Sequence, residues 1–300
     1  MTGNIDKKLS DIDKLMEKNN KANRFNLENA SIEPIHPSFP WSANGIWAYI
    51  AVMGSGKSYS VMKTILQQES LFDDSYFELV AYCSTSNGFD QTVLTHKNSI
   101  KKSKLVFVQD TQLLDWVNKY IRRILKYNAI NALIFSEFKK YTDEMVRLRD
   151  KHRLTTDSKL IKYITNKLVR YGWKTYPHRC LLVLDDFASH PLVRTKESEM
   201  SRLLKKLRHF NITVNIIVQT TASLPKEIRR ILSDIVLFRG VNEDDFKSFF
   251  KVVPHAYDIK KLWELYKSMR HRRDKMIMHL SANKIIIDRY ADRIEVFEDL

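Results

Sequence analysis

From Gly45 onward, short apolar runs alternate with stretches of helical periodicity, the pattern of a sheet wrapped by helices. The runs predict buried strands at about residues 46–53, 78–84, 105–108, 180–184, 213–218 and 235–238. Between the third and fourth lies an insertion, about residues 111–173, that reads as two or three helices. After about Asp245 the pattern predicts helices to about Arg273 and then closing strands at 276–280, 284–290 and 293–297. The expected class is α/β: a mostly parallel central sheet flanked by helices, with a helical insertion and a small C-terminal appendage.

Upstream, residues 6–24 are charged and carry Ile12, Leu15 and Met16 at helical spacing, which predicts an exposed helix. Residues 33–41 (EPIHPSFPW) hold three prolines and predict an extended connector. The expected organisation is an arm and connector over 1–44, a core over 45–245 with the insertion inside it, and C-terminal helices and strands over 246–300. No run approaches the roughly 18 apolar residues of a membrane span, and the N-terminus lacks the apolar core of a secretory signal. These patterns lead us to expect a soluble, intracellular protein.

Of the 300 residues, 44% are hydrophobic, which is ample for a core and excludes a disordered chain. Fifty Lys and Arg against 35 Asp and Glu give a net charge of +15, which points to a polyanionic partner, nucleic acid or a membrane surface. Cys83 and Cys180 each lie in an apolar run and supply neither a disulfide framework nor a metal site. Much of the positive charge is local: Lys119 to Arg170 holds 14 basic residues against 5 acids. On helices this is either a phosphate-tracking face or a solvated one. Arg270 to Lys275 is a smaller patch with the same two readings.

Glycine is scarce, 7 in all, yet Gly54 and Gly56 fall together in Ile46 to Ser58 (IWAYIAVMGSGKS). A strand that feeds a glycine turn and then a helix is the arrangement of a phosphate loop, here Met53, Gly54, Ser55, Gly56, Lys57, Ser58 and Tyr59. Glycines let the backbone wrap close to phosphates and helix-start N–H groups donate to them, while Lys57 reaches the β- and γ-phosphates and Ser58 binds Mg²⁺. Ala51 stands where the usual pattern has glycine.

A second apolar strand ends in Asp185-Asp186. The first carboxylate would hold Mg²⁺ at the sheet's C-terminal edge, and the second would orient or deprotonate an attacking water. A third strand, from Ile212, closes with Gln219, whose amide could sense the γ-phosphate or simply face solvent.

Strand, phosphate loop, long interval, strand with two aspartates and strand with glutamine together resemble the additional-strand P-loop ATPases. Leu203 to Ile212 (LLKKLRHFNI), Gln219 and Leu224 to Arg229 (LPKEIR) narrow the resemblance to the FtsK/HerA superfamily. Within it, the chain most closely resembles the genome-packaging ATPases of poxviruses and other large or membrane-containing DNA viruses. The likeness spans about Gly45 to Phe238, with Asp rather than Glu at 186. It implies ATP and Mg²⁺ as ligands and a ring, usually of six copies, with ATP between subunits and double-stranded DNA through the centre. It also implies Arg208 as a finger reaching into the neighbouring subunit, with Arg229 as a second candidate. Capsid or inner-membrane proteins of the virion would be further partners, at sites of assembly in the host cytoplasm or in the virion. A helicase, a conjugation-type motor and an ATP-gated scaffold are the alternatives left open at this point.

Overall fold

A single nine-stranded sheet organises the computed structural model of the chain, which describes residues 44–71, 76–85, 91–125, 179–187, 190–194, 199–290 and 293–298. The strands are β1 (Ile46–Ile50), β2 (Leu79–Ser84), β3 (Lys104–Gln109), β4 (Cys180–Asp185), β5 (Ile212–Val218), β6 (Asp234–Phe238), β7 (Lys275–His279), β8 (Lys284–Arg289) and β9 (Arg293–Glu298). Their order across the sheet is β3-β2-β4-β5-β1-β6-β7-β8-β9. Pairing is parallel from β3 to β6 and antiparallel from β6 to β9. β5 therefore lies between the strand that feeds the glycine loop and the strand that ends in Asp185, the additional-strand arrangement implied by the resemblance. The C-terminal strands, expected as a small appendage, instead continue the main sheet through β6.

The central strands are apolar throughout because both faces are covered: β1, β5 and β6 are buried at every position, whereas the edge strand β3 is mostly exposed or half-buried. On one face, helix α1 (Lys57–Leu71) places Val61, Met62 and Ile65 against Trp47, Tyr49, Tyr82 and Val183. Each such side chain contributes about 1.5–3 kcal/mol on full burial. The C-terminal end of α1 is anchored by polar contacts. Gln68 accepts from the Phe77 N–H, and the Glu69 carboxylate accepts from the N–H groups of Lys101, Lys102 and Ser103. On the other face, Leu184, Ile216 and Val218 meet Phe187, Met200, Leu224 and Ile228.

Three further helices matter below. α2 (Glu199–Leu207) leads through a short turn to Asn211, whose left-handed φ of 56° ends it and starts β5. α3 (Glu243–Phe250) and α4 (Ile259–Lys267) are capped by Asn242 and Asp258. They meet through Phe246, Trp263 and Tyr266.

Contacts divide the chain into two units. One comprises Pro34–Leu113 and Arg179–Leu300 and holds the sheet; the other comprises Met1–Glu33 and Leu114–His178. In the second, the described residues belong to a helix at 113–125, on which Trp116 and Tyr120 stack at 5.6 Å. The helix expected at 6–24, the connector at 33–41 and the remainder of the insertion lie outside the described residues. Among the described residues, no helix is long and apolar enough to cross a membrane.

Candidate functional site

β1 ends at Ile50, earlier than the apolar run suggests, because the loop begins as soon as the chain leaves the sheet. Gly54 (φ +76°) and Gly56 (φ +89°) then turn the backbone through the left-handed region, where a Cβ would cost about 1–2 kcal/mol. Ala51 has no such requirement: the non-glycine residues with positive φ among those described are Asn44, Asp186, Asn211 and Asn283. Its methyl joins the buried core instead. This is why alanine serves where the pattern has glycine.

α1 starts at Lys57 with no acidic residue in its first turn. Its initial N–H groups have no acceptor four residues back, and the positive end of the helix dipole lies there, so the sequence leaves the position open to an anion. The Ser55 hydroxyl is buried and makes no hydrogen bond, a polar atom that an anion in the loop would satisfy. Lys57 donates from Nζ to the carbonyls of Ala51 (2.7 Å) and Val52 (3.2 Å), which holds the ammonium at the loop.

Three strand ends converge on this loop. Asp185 closes β4, and its Oδ2 accepts a 2.7 Å hydrogen bond from the Tyr82 hydroxyl on β2. Side chains alternate along a strand, so Asp185 shares the α1 face with Leu181 and Val183. Asp186 steps out of the strand at φ 56°, a conformation aspartate tolerates better than most residues. Its N–H donates to the Ile217 carbonyl (3.1 Å), and its own carbonyl accepts from the Thr85 hydroxyl (2.7 Å). Both aspartates line the same cavity. Gln219 follows β5 and is exposed, while the carbonyl of Val218 accepts from the N–H of Ala51 (3.2 Å).

The result is one cavity of about 740 Å³, lined by Met53, Gly54, Ser55, Gly56, Lys57, Ser58, Tyr59, Asp185, Asp186 and Gln219. The volume falls in the range of small-molecule sites, roughly 300–1,000 Å³. Ser58 and Asp185 offer the hard oxygen donors that Mg²⁺ takes alongside substrate phosphates.

Two predicted residues are not brought there. Arg208 is exposed before β5, at the opposite end of that strand from Gln219. Seven strand residues at about 3.3 Å each separate the two by about 20 Å. Arg229 is half-buried, donates from Nε to the Leu224 carbonyl (2.7 Å) and lies over the Phe249 ring at 5.3 Å. Burial lowers its pKa, as for any cation taken out of water. Its contacts hold the turn after Gln219 to α3.

The cavity also contains residues that sequence reasoning missed. Arg273, Lys275, Asp288, Arg289 and Tyr290 complete the lining from β7, β8 and the adjoining turns. Lys275 donates to Ser60 Oγ on α1 (3.0 Å) and pairs with Asp288 (2.9 Å), so it ties the loop helix to the C-terminal strands. Arg272 donates to the carbonyl of Gly54. The one signal in the sequence was the basic run Arg270 to Lys275, weighed as a DNA patch or a solvated face. The structure places Arg273 and Lys275 of that run in the wall of this cavity.

The cysteines stand apart from this chemistry. Both are free and buried; burial pushes the Cys83 thiol up to about 12 and raises Cys180 as well.

No family model matches the chain, and no curated protein matches it. Among solved structures it is similar to the genome packaging NTPase B204 of Sulfolobus turreted icosahedral virus 2 in complex with AMP. There, identity is 10% over 87% of this chain and 100% of that one, with a TM-score of 0.48. It is also similar to B204, the DNA-packaging ATPase of Sulfolobus turreted icosahedral virus, at 13% identity over 87% and 100%, with a TM-score of 0.43. A third similarity is to the cytoplasmic domain of the type VII secretion ATPase EccC of Thermomonospora curvata, at 15% identity, with a TM-score of 0.43. That match covers 89% of this chain and 27% of the other.

Proposed function

We propose that the chain is a Mg²⁺-dependent ATPase that drives double-stranded DNA into a viral capsid as a ring-forming motor. The observation that carries the ATPase reading is the convergence of Lys57, Ser58, Asp185, Asp186 and Gln219 on one cavity at the C-terminal ends of β1, β4 and β5. In this reading the glycine loop and first turn of α1 bind the β-phosphate through backbone N–H groups. Lys57 moves from the carbonyls of Ala51 and Val52 to the β- and γ-oxygens and offsets charge as the phosphoryl group transfers. Ser58 and Asp185 would hold Mg²⁺, which would supply positive charge against the phosphates. Asp186 positions the attacking water, and Gln219 reads the γ-phosphate.

The motor reading is supported by the sequence resemblance and the net charge of +15. It gives Arg208 a role that its own subunit cannot use, since about 20 Å of strand separates it from Gln219. In a ring it would reach the triphosphate of a neighbouring copy. Among the basic residues from Lys119 to Arg170, Lys119, Arg122 and Arg123 are described, and all three are exposed.

The test is ATP turnover with and without duplex DNA. Wild type should hydrolyse ATP faster with DNA, and Lys57→Ala should be inactive yet folded. Asp186→Asn should bind ATP and turn over at least a hundredfold more slowly, in line with the roughly 10²–10⁴ contributed by a general base. Arg208→Ala mixed with Lys57→Ala should regain partial activity, because each supplies what the other lacks. Wild-type activity in Lys57→Ala would overturn the ATPase reading. DNA-independent turnover with no DNA binding would leave an ATPase but remove the motor.

A further inference from the structure

The phosphate-binding groups account for only part of the cavity, and Tyr290 lines it from the other half of the sheet. We propose that Tyr290 is the platform on which the base of the nucleotide stacks, an inference that rests on the nucleotide site proposed above.

Tyr290 directly follows β8 and is 55% exposed. A surface tyrosine with no role needs no particular orientation, yet four contacts hold this one. Its backbone N–H donates to Oδ1 of Asp274 (2.9 Å). Its ring stacks on His271 with centroids 4.4 Å apart and planes 14° from parallel. Its hydroxyl accepts from Nη1 of Arg273 (2.9 Å), and the Arg273 guanidinium lies over the ring, 4.9 Å from its centre.

The first of these holds is itself built into the fold. Asp274 is buried, and its Oδ2 accepts from the N–H groups of Arg270 and His271, both at 2.9 Å. One carboxylate thus joins the turn before β7 to the residue after β8. That same turn carries Arg272, which donates to the carbonyl of Gly54. It therefore contacts the phosphate loop through one residue and the Tyr290 ring through the residues on either side, which places the ring beside the loop within one cavity. Tyr59 is the other half-exposed aromatic in the lining. It adjoins Ser58 and meets His96 edge-on at 5.7 Å, which assigns it to the phosphate end. Tyr290 is left for the base, whose flat π face would displace the Arg273 guanidinium from the ring and take an offset stack there, opposite His271.

The experiment is calorimetric titration of the full chain, with Mg²⁺ present, by ATP and by inorganic tripolyphosphate, which has the phosphates without the base. Loss of the aromatic face in Tyr290→Ala should weaken ATP binding roughly tenfold, within the range of base–aromatic stacking. Tripolyphosphate affinity should change by less than about twofold, and Tyr290→Phe, which keeps the ring and its His271 stack, should lose far less ATP affinity than the alanine variant. Tyr290→Leu keeps apolar bulk without a π face and should behave like the alanine variant, so the Leu and Phe pair decides the matter if alanine disrupts folding. Equal weakening of both ligands, or of neither, would overturn the platform while leaving the phosphate site in place. So would unchanged ATP binding together with weakened binding of a single-stranded oligonucleotide, which would assign the ring to nucleic acid. A wild-type chain that binds neither ATP nor tripolyphosphate would overturn the nucleotide site itself.

Discussion

The Tyr82 hydroxyl donates to Oδ2 of Asp185 at 2.7 Å, across the parallel pair β2 and β4. If Asp185 holds Mg²⁺ as proposed, this is an outer contact that orients the carboxylate, and loss of such contacts typically lowers metal affinity 10–100-fold. Tyr82→Phe keeps the ring in the core and removes only the hydrogen bond. The Mg²⁺ concentration needed for half-maximal ATP hydrolysis should therefore rise at least tenfold, with thermal stability little changed. A Mg²⁺ titration of turnover checks this, and an unchanged midpoint would show that Asp185 needs no such support.

Gly54→Ala should impair the site through the backbone. At φ +76° the substitution costs about 1–2 kcal/mol. The new methyl would also collide with the Arg272 guanidinium, which lies against the glycine. The collision is relieved by Arg272→Ala, whereas the backbone strain is not. The double variant should therefore recover ATP affinity only in part relative to Gly54→Ala, measured by titration of each protein.

At the other end of β6 from the phosphate cavity, His279 Nδ1 and Asp234 Oδ1 lie 2.5 Å apart, with side chains 8% and 0% exposed. Removing one partner leaves the other buried without it, which is far more costly than losing an exposed pair. His279→Ala should lower unfolding free energy on the order of 3 kcal/mol, read from urea denaturation, while the KM for ATP in the remaining folded protein stays near wild type.

The thiols give a pH test. Cys83 is pushed up to about 12 and Cys180 is also raised by burial, whereas an unfolded cysteine titrates near 8.5. Above about pH 8.5 the unfolded chain releases thiol protons that the folded chain keeps, so these groups make stability fall as pH rises. The urea midpoint should drop between pH 8 and 10, and less so in a Cys83→Ala, Cys180→Ala protein. In the native state both thiols should resist a thiol reagent at pH 8 and react on unfolding.

The parallel half of the sheet was legible because a strand covered on both faces reads as an unbroken apolar run, as in Ile46 to Ile50 and Ile212 to Val218. The loop was legible because its glycines stand where positive φ is needed. The rest of the cavity wall was not. Arg272 reaches Gly54 across 218 residues, and Lys275 reaches Ser60 across 215. These contacts follow from the antiparallel register of β6 on β7, in which Phe238 opposes Lys275, and no local pattern encodes that register. A run of five charged or polar residues before a strand looks like solvated surface until the partner strand is known. The contact of Arg229 with Phe249 was hidden because it depends on where α3 packs after β6.

The position of β1 between β5 and β6 governs when this site can exist during synthesis. Asn44 meets Thr213 across 169 residues and Ile46 meets Ser233 across 187, so both neighbours of the first strand are made long after it. At translation rates of about 5–20 residues per second, that interval is about 10–40 s. Throughout it the segment Ile46–Ile50, buried at every position in the finished sheet, has neither hydrogen-bonding neighbour on the ribosome. Such an unpaired apolar strand attracts chaperones and other nascent chains. A ribosome-bound chain stalled before Ile212 should accordingly bind no ATP, and the phosphate loop becomes a binding site only after the Gln219 strand has been inserted beside it.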